Sequence, residues 1–342
     1  MAVTVSSRNT LIVSGYNQSV SSTSAGQTLV GSSAGGTTFT LLSDTNVMAY
    51  GDYNVITGGA GSHTITAGVN GNRITLGDGN DTISFTGLNN WVSVGNGTTS
   101  VSGGTGAATV QLGAGVMSVS LSGAANHITV GNSTGASTIS AGSGGNEQIT
   151  AGDGTFTVSA GGAGDTIRLG NGTHTINASG ANATITAGDG NTKLTLSQGG
   201  DNVTLGNGTN TISMLSSASG TVLHTGAGAD SLTFLGTGAL IDLGAGNDVI
   251  HDSGKNNTIV LNAAGQGCDQ IYGSVMTNGD VFDLRTAMAA TAWNHDPAAI
   301  AAYLDVRTTG TDATLAIAGS DIAVFHNQAG LTLATFMTHT LT

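Results

Sequence analysis

The chain has 342 residues, of which 56 are glycine and one is proline; charged residues make up 8% and aromatics 4%, and the formal net charge is −13. A soluble domain usually carries about 25% charge, and seven scattered Lys and Arg against an acid excess argue against nucleic acid or an anionic membrane as partner. No apolar run reaches transmembrane length, so membrane insertion is not expected.

Residues 1–50 read as degenerate N-terminal solenoid coils. Ile12, Val20, Val30, Phe39, Val47 and Ile56 return at intervals of eight to ten residues, with Gly15, Gly26, Gly31 and Gly36 between them. The solenoid is expected to start near Asn9. No amphipathic helix precedes it, so the first coil is expected to be uncapped, with a short cap from residues 1–8 as the alternative. Gly31-Ser32-Ser33-Ala34-Gly35 matches G-x-S-x-G but lacks the strand-to-helix context that this hydrolase turn needs.

From Ile56 the period becomes regular. Ile56, Ile65, Ile74, Ile83, Val92, Val101, Val110, Val119 and Ile128 are nine residues apart, separated by turns such as Gly77-Asp78-Gly79-Asn80. A nine-residue unit with one aliphatic position and a glycine turn suits a parallel β-roll, two units to a coil. A second apolar position follows two residues later (Leu76, Phe85, Val94, Leu112, Leu121, Val130), as strand alternation requires. Each rung is therefore expected to bury two side chains and expose two.

After Ile128 the interval widens to Ile139 and Ile149. It then recovers through Val158, Ile167, Ile176, Ile185, Leu194, Val203 and Ile212. Two further loosened steps reach Val222 and Leu232, followed by Ile241, Ile250, Ile259 and Ile271. Residues 51–273 are thus assigned to a nonapeptide-repeat β-roll, and one uninterrupted solenoid from about residue 9 to 273 would extend roughly 60 to 70 Å at strand spacing. A small C-terminal cap, residues 274–342, follows the last repeat. It is expected to hold a short helix over Thr286 to Thr291, a second after Pro297 over Ala298 to Leu304, and strands over Ala313 to Ala318 and Asp321 to Phe325. The fold class is all-β: a parallel β-roll or β-helix solenoid with a small mixed C-terminal cap.

Three turns carry a family resemblance. Gly226-Ala227-Gly228-Ala229-Asp230-Ser231-Leu232, Gly244-Ala245-Gly246-Asn247-Asp248-Val249-Ile250 and Gly265-Gln266-Gly267-Cys268-Asp269-Gln270-Ile271 resemble the calcium-binding nonapeptide of the RTX (repeats-in-toxin) proteins. The segment after them is similar to the type I secretion target region that follows such repeats. The resemblance implies export by a type I secretion apparatus from a Gram-negative cytosol to the outside or the cell surface, with folding triggered there by Ca2+. It implies metal-site residues Asp230, Asp248, Asp269, Gly226, Gly228, Gly244 and Gly246. Asp81, helped by Asp78, keeps the motif further upstream.

Physical chemistry supports part of this. Asp230 and Asp248 are eighteen residues apart, so they would face one another across stacked turns, where a hard cation would neutralise both. Most other turns depart from the motif. The residue two before the aliphatic one is Asn54, His63, Asn72, Asn90, Thr99, Ala108, Met117, Asn126, Ser137, Phe156, His174, Ala183, Thr192 or Asn210. Glu147 and Asp165 have the right spacing in a poor turn context, and Asp201 stands alone. Much of the chain is therefore expected to be held by backbone ladders, aliphatic stacks and Asn or Thr ladders.

Catalytic chemistry is not expected. There is no H-E-x-x-H, and the eight histidines are spread singly, with His251-Asp252 and His295-Asp296 as pairs lacking a nucleophile. Cys268 is the only cysteine and reads as a turn residue. The start Met1-Ala2-Val3-Thr4 has no basic stretch before an apolar core, which fits the cytosol or a route of export that ignores the N-terminus.

The expected function is a secreted, non-enzymatic, calcium-binding structural protein that assembles with itself into a surface layer, filament or extracellular matrix, with cell-surface polysaccharide as a possible further partner. The alternative is an ice- or carbohydrate-binding adhesion solenoid acting through Thr64/Thr66, Thr82/Ser84, Ser100/Ser102, Ser118/Ser120 and Thr138/Ser140. A third reading is a calcium-dependent secretion or adhesion module that does not assemble.

Overall fold

The computed structural model describes residues 3–7, 9–42, 44–294, 296 and 299–342. It divides into two compact units, residues 1–174 and 175–342, and each is a parallel β-solenoid with two sheets. In the first unit one sheet stacks the strands from Thr10–Val13 to Gly154–Ala160, and the other those from Ser19–Ser21 to Thr166–Leu169. In the second unit Thr192–Leu196, Thr211–Met214, Ser231–Phe234, Val249–Asp252 and Asp269–Gly273 stack in one sheet. Thr184–Ala187 to Val281–Asp283 stack in the other.

The coil is two nonapeptides, as the period predicts. Ile65 pairs with Ile83 and Ile83 with Val101, each eighteen residues on, so the three lie above one another, fully buried. The widened steps are accommodated in turns: Ser118 pairs with Thr138 and His127 with Gln148, and the strands on either side stay in register. Glycine is obligatory where turns stack. A Cβ on Gly79 would run into the Gly61 carbonyl oxygen, and one on Gly97 into that of Gly79.

Four expectations need correction. First, a rung buries three side chains instead of two. In Asp81–Phe85 the buried residues are Asp81, Ile83 and Phe85, and the same holds of His63, Ile65 and Ala67. Strand parity is the cause, because the residue two before the aliphatic one points to the same face as it does.

Second, the register of the worn repeats shifts by one residue. The paired column is Leu11, Leu29, Val47, and Ile12 is exposed. Leu223, not Val222, stacks between Val203 and Ile241. A one-residue slip exchanges the two faces, so buried Leu29 and Leu223 decide the register.

Third, the first coil does not begin with an open strand. Val3–Ser7 pairs antiparallel with Thr10–Val13 and covers that edge. The other sheet starts on Ser19–Ser21, whose outer edge has no partner strand among the described residues.

Fourth, the helices of the C-terminal segment are placed differently from the expectation. The expected first helix is Arg285–Ala289. The expected second is reduced to a 3-10 turn, Ile300–Ala302, while His295, Pro297 and Ala298 lie outside the described residues. A helix that was not expected, Leu333–Met337, follows near the end. Leu304–Thr309, Asp312–Ile317 and Ser320–Phe325 form an antiparallel meander. Ser320–Phe325 then adds parallel to Asp269–Gly273, and Thr340–Leu341 adds parallel to Val281–Asp283. Phe282, Phe325 and Phe336 meet beneath them, with ring centroids 5.1 to 5.7 Å apart. The segment closes the last coil as expected, by continuing both sheets.

Candidate metal site

The third buried position of each rung is where the chemistry of this chain lies. It forms a column beside the aliphatic one, next to the turn, and its side chains accept hydrogen bonds from the backbone of the preceding coil. In the first unit the Asn54 N–H donates to Asn72 Oδ1 (3.1 Å) and the Asn72 N–H to Asn90 Oδ1 (3.0 Å). The Asn side-chain amides donate along the same line, Asn54 Nδ2 to Asn72 Oδ1 at 3.0 Å and Asn72 Nδ2 to Asn90 Oδ1 at 2.8 Å. Every buried Asn group in this ladder is used.

In the second unit acids hold the corresponding slots of the opposite sheet, the sheet to which His63 and Asp81 belong in the first unit. The Asn210 N–H donates to Asp230 Oδ1 (2.7 Å), the Asp230 N–H to Asp248 Oδ1 (2.8 Å) and the Asp248 N–H to Asp269 Oδ1 (3.1 Å). Asp230, Asp248 and Asp269 are all buried. One oxygen of each thus does the work of an Asn carbonyl. The other has no amide to offer, and Asp230 Oδ2 and Asp248 Oδ2 have no hydrogen-bond partner. A buried carboxylate oxygen left in this way is costly.

The electrostatics follow from that geometry. Burial pushes Asp248 up to about 8, against the backbone hydrogen bond from Asp230, and the neighbouring Asp269 and Asp230 charges push it further. Burial likewise raises Asp269 to about 6, and raises Asp230. Without a cation Asp248 holds its proton at neutral pH.

The turns beside the acids are built for close approach. A Cβ on Gly246 would strike the Gly228 carbonyl oxygen and stand 3.0 Å from Asp248 Oδ1; one on Gly228 would strike the Gly208 carbonyl. Gly244 lies over the Gly226 carbonyl in the same way, and a Cβ on Gly226 would meet Asn207 Oδ1 at 2.6 Å. Unpartnered carboxylate oxygens, carbonyl-lined glycine turns and an oxygen-only donor set fit a hard cation such as Ca2+. Outer turn residues lock successive coils: the Ala227 N–H donates to Asn207 Oδ1 (2.7 Å) and the Cys268 N–H to Asn247 Oδ1 (2.9 Å).

The upstream pair behaves differently. Asp78 and Asp81 are not brought together: Asp78 is exposed in its turn and accepts from the Asn96 N–H (2.7 Å), whereas Asp81 is buried. Asp81 Oδ1 accepts from the His63 N–H at 3.0 Å and lies 2.9 Å from His63 Nδ1. The imidazole stands where an acid stands in the second unit. Glu147 and Asp165 form an intermediate case. The Glu147 N–H donates to Asp165 Oδ1 (2.9 Å), Asp165 Oδ2 has no partner, and burial lifts Glu147 to about 7 and raises Asp165. Asp201 accepts from the Ala183 N–H (2.7 Å), and burial lifts it to about 6.

Three buried acids lie outside the candidate residues of the sequence: Asp252, Asp280 and Asp283, the last paired with Arg285. Asp252 occupies the slot two after the aliphatic residue, in register with Phe234 and, one coil further back, Met214. Asp280 lies two before Phe282 in the other sheet. A polar residue in an otherwise apolar column was the available signal for Asp252.

No family model matches the chain, and neither does any curated protein or solved structure.

Proposed function

We propose that this chain is a secreted, calcium-loaded β-solenoid of the repeats-in-toxin kind that works without catalysis, as a building element of an extracellular layer, filament or matrix. The observation that carries the proposal is the acid column Asp230, Asp248, Asp269, with unpartnered oxygens on Asp230 and Asp248 beside stacked glycine turns. In this reading those three side chains hold Ca2+, and the ion supplies the charge compensation that amides supply in the Asn ladder. A cytosol poor in calcium would leave the acids unpaired and the coils loose enough for export by a type I apparatus; calcium outside would close them.

Assembly is supported by what the first unit leaves uncovered. Tyr16, Leu42, Tyr50 and Tyr53 are exposed, and the Ser19–Ser21 edge is unpaired among the described residues. Such edges pair with other chains. Light scattering of the purified chain in calcium and then in chelator tests the proposal. Particle size should grow with calcium and reverse with chelator; a monomer of fixed size under both conditions counts against assembly.

A second reading is favoured by one specific observation. Thr64, Thr82, Ser100, Ser118, Thr138 and Thr157 are paired in register, as are Thr66, Ser84, Ser102, Ser120, Ser140 and Ser159. Two parallel hydroxyl rows at strand spacing suit a repeating surface such as ice or a polysaccharide. Ser100→Tyr should abolish inhibition of ice recrystallisation if that surface is the functional one, and unchanged inhibition removes the reading.

A further inference from the structure

We infer that Asp252 and Asp280 form a separate cation site between the last coil and the C-terminal segment, selective for a hard divalent ion such as Ca2+. It does not depend on the Asp230, Asp248, Asp269 column, and neither residue belongs to the three turns that carry the family resemblance.

The inference starts from a residue out of place. In the column of the second unit that runs Leu196, Met214, Phe234, the next member is Asp252, and the one after it is Gly273. A buried carboxyl thus replaces a large apolar group, and the following rung supplies no side chain to cover it. An open cleft of about 300 Å³ adjoins it, lined by Asp252, Ser253, Lys255, Gly273, Ser274 and Asn278, with Gly254 between them.

The second observation is Asp280. It is 0% exposed, its Oδ1 accepts from the Asn257 N–H (2.8 Å), and its Oδ2 has no partner. It is joined to the Asp252 carboxyl through Asn257, whose N–H donates to Asp280 Oδ1 and whose Nδ2 reaches Asp252. Asp252 is itself 1% exposed and held in place: Oδ1 accepts from the Gly254 N–H (2.6 Å), and Asn257 Nδ2 reaches Oδ2 at 3.2 Å and Oδ1 at 3.4 Å. Two buried carboxyls held by the same Asn257 resist ionising together without a counter-charge. A divalent ion provides it, and the available donors are all oxygen, the class that calcium takes. Asn278 shapes the wall, donating from Nδ2 to the Gly254 carbonyl (2.8 Å) and accepting from the Asp280 N–H (3.3 Å). Charged and titratable groups nearby are Lys255, which lines the cleft, and His339, whose Nδ1 lies 3.2 Å from the Asp280 carbonyl oxygen.

The site has a structural consequence. Asp252 ends a strand of the last full coil, and Asp280 begins the strand to which Thr340–Leu341 adds. An ion held by both would tie the closing segment to the coil beneath it.

Calorimetric titration of the full chain with Ca2+ alone at pH 7.5 tests this, with Asp252→Asn and Asp280→Asn as variants and Asp230→Asn/Asp248→Asn as control. Each single variant should lose one calcium equivalent, and the control should retain it. Asp252→Leu, which restores the apolar column, should lose the same equivalent while raising the thermal midpoint of the calcium-free chain. Equal stoichiometry in wild type, Asp252→Asn and Asp280→Asn would overturn the site. In that event the Asp230 column is judged separately, by whether the control loses calcium.

Discussion

The Asn54, Asn72, Asn90 ladder and the Asp230, Asp248, Asp269 ladder both occupy the slot two residues before the aliphatic column, on opposite sheets of coils of the same design. Both put one side-chain oxygen on the backbone N–H of the preceding coil, at 3.0 to 3.1 Å in the first and 2.7 to 3.1 Å in the second. They differ in a single atom per rung. Asn has an amide nitrogen that donates onward, so its ladder is complete without help. Asp has a second oxygen that accepts nothing at 230 and 248. One fold position therefore gives a self-sufficient spine in one region and a spine that needs a proton or a cation in the other.

The largest expected effect separates the two ladders directly. With calcium at a hundredfold excess over its dissociation constant, each occupied site stabilises by about 2.7 kcal/mol. Chelation should collapse hydrogen-exchange protection of the Asp230 and Asp248 amides. The Asn54 and Asn72 amides should keep theirs, and equal losses in both ladders would refute the comparison.

A variant narrows the difference to one rung. Asp248→Asn restores the amide where the burial penalty is greatest, so it should stabilise the calcium-free chain at pH 8 and weaken its response to calcium. Urea unfolding with and without chelator reads both effects. Loss of stability in the calcium-free state would mean that the carboxyl is satisfied in some other way.

The pH dependence follows from the raised carboxyls. Asp248 titrates near 8 and Asp269 near 6 in the folded chain, above an ordinary carboxylate in the unfolded one. The folded state then binds more protons across that window, so stability of the calcium-free chain should be full at about pH 4 and fall as pH rises toward 8. Saturating calcium should flatten the slope. A calcium-free midpoint that rises with pH over the same range would be the wrong sign for this account.

The smallest effect runs in the reverse direction. Asn72→Asp should cost about 1 to 3 kcal/mol at pH 7, because an oxygen would replace the nitrogen that donates to Asn90 Oδ1. Calcium should not rescue it, since a single acid among amides lacks a second carboxylate. Rescue by calcium would show that any rung can be converted into a site.

Much of this arrangement was legible in the sequence, and the omissions have a common origin. The columns through Ile65, Ile83 and Val101 follow from the period, since each coil returns one branched side chain to the same place. The position two residues earlier was read as a turn ligand because it holds Asn, His, Asp and Thr. Parity alone would have placed it inside, where Asn54 and Asp248 are 0% exposed. The register errors at Ile12 and Val222 arose where two adjacent aliphatics compete and the sequence offers no means of choosing between faces. His63 beside Asp81 is a pair made by stacking across eighteen residues, and Asp252 and Asp280 are joined through Asn257 across the two sheets, so spacing becomes informative only once the coil length and its insertions are known. The Val3–Ser7 hairpin lies outside the repeat altogether.

The most direct test of the central claim, that the acid column exchanges protons for calcium, is the heat of calcium binding measured at pH 7 in buffers of different ionisation enthalpy. If calcium displaces the proton that buried Asp248 holds, the apparent enthalpy should vary linearly with the buffer's ionisation enthalpy, the slope giving the protons released. Absence of calcium-binding heat, or a heat independent of the buffer, would contradict the account.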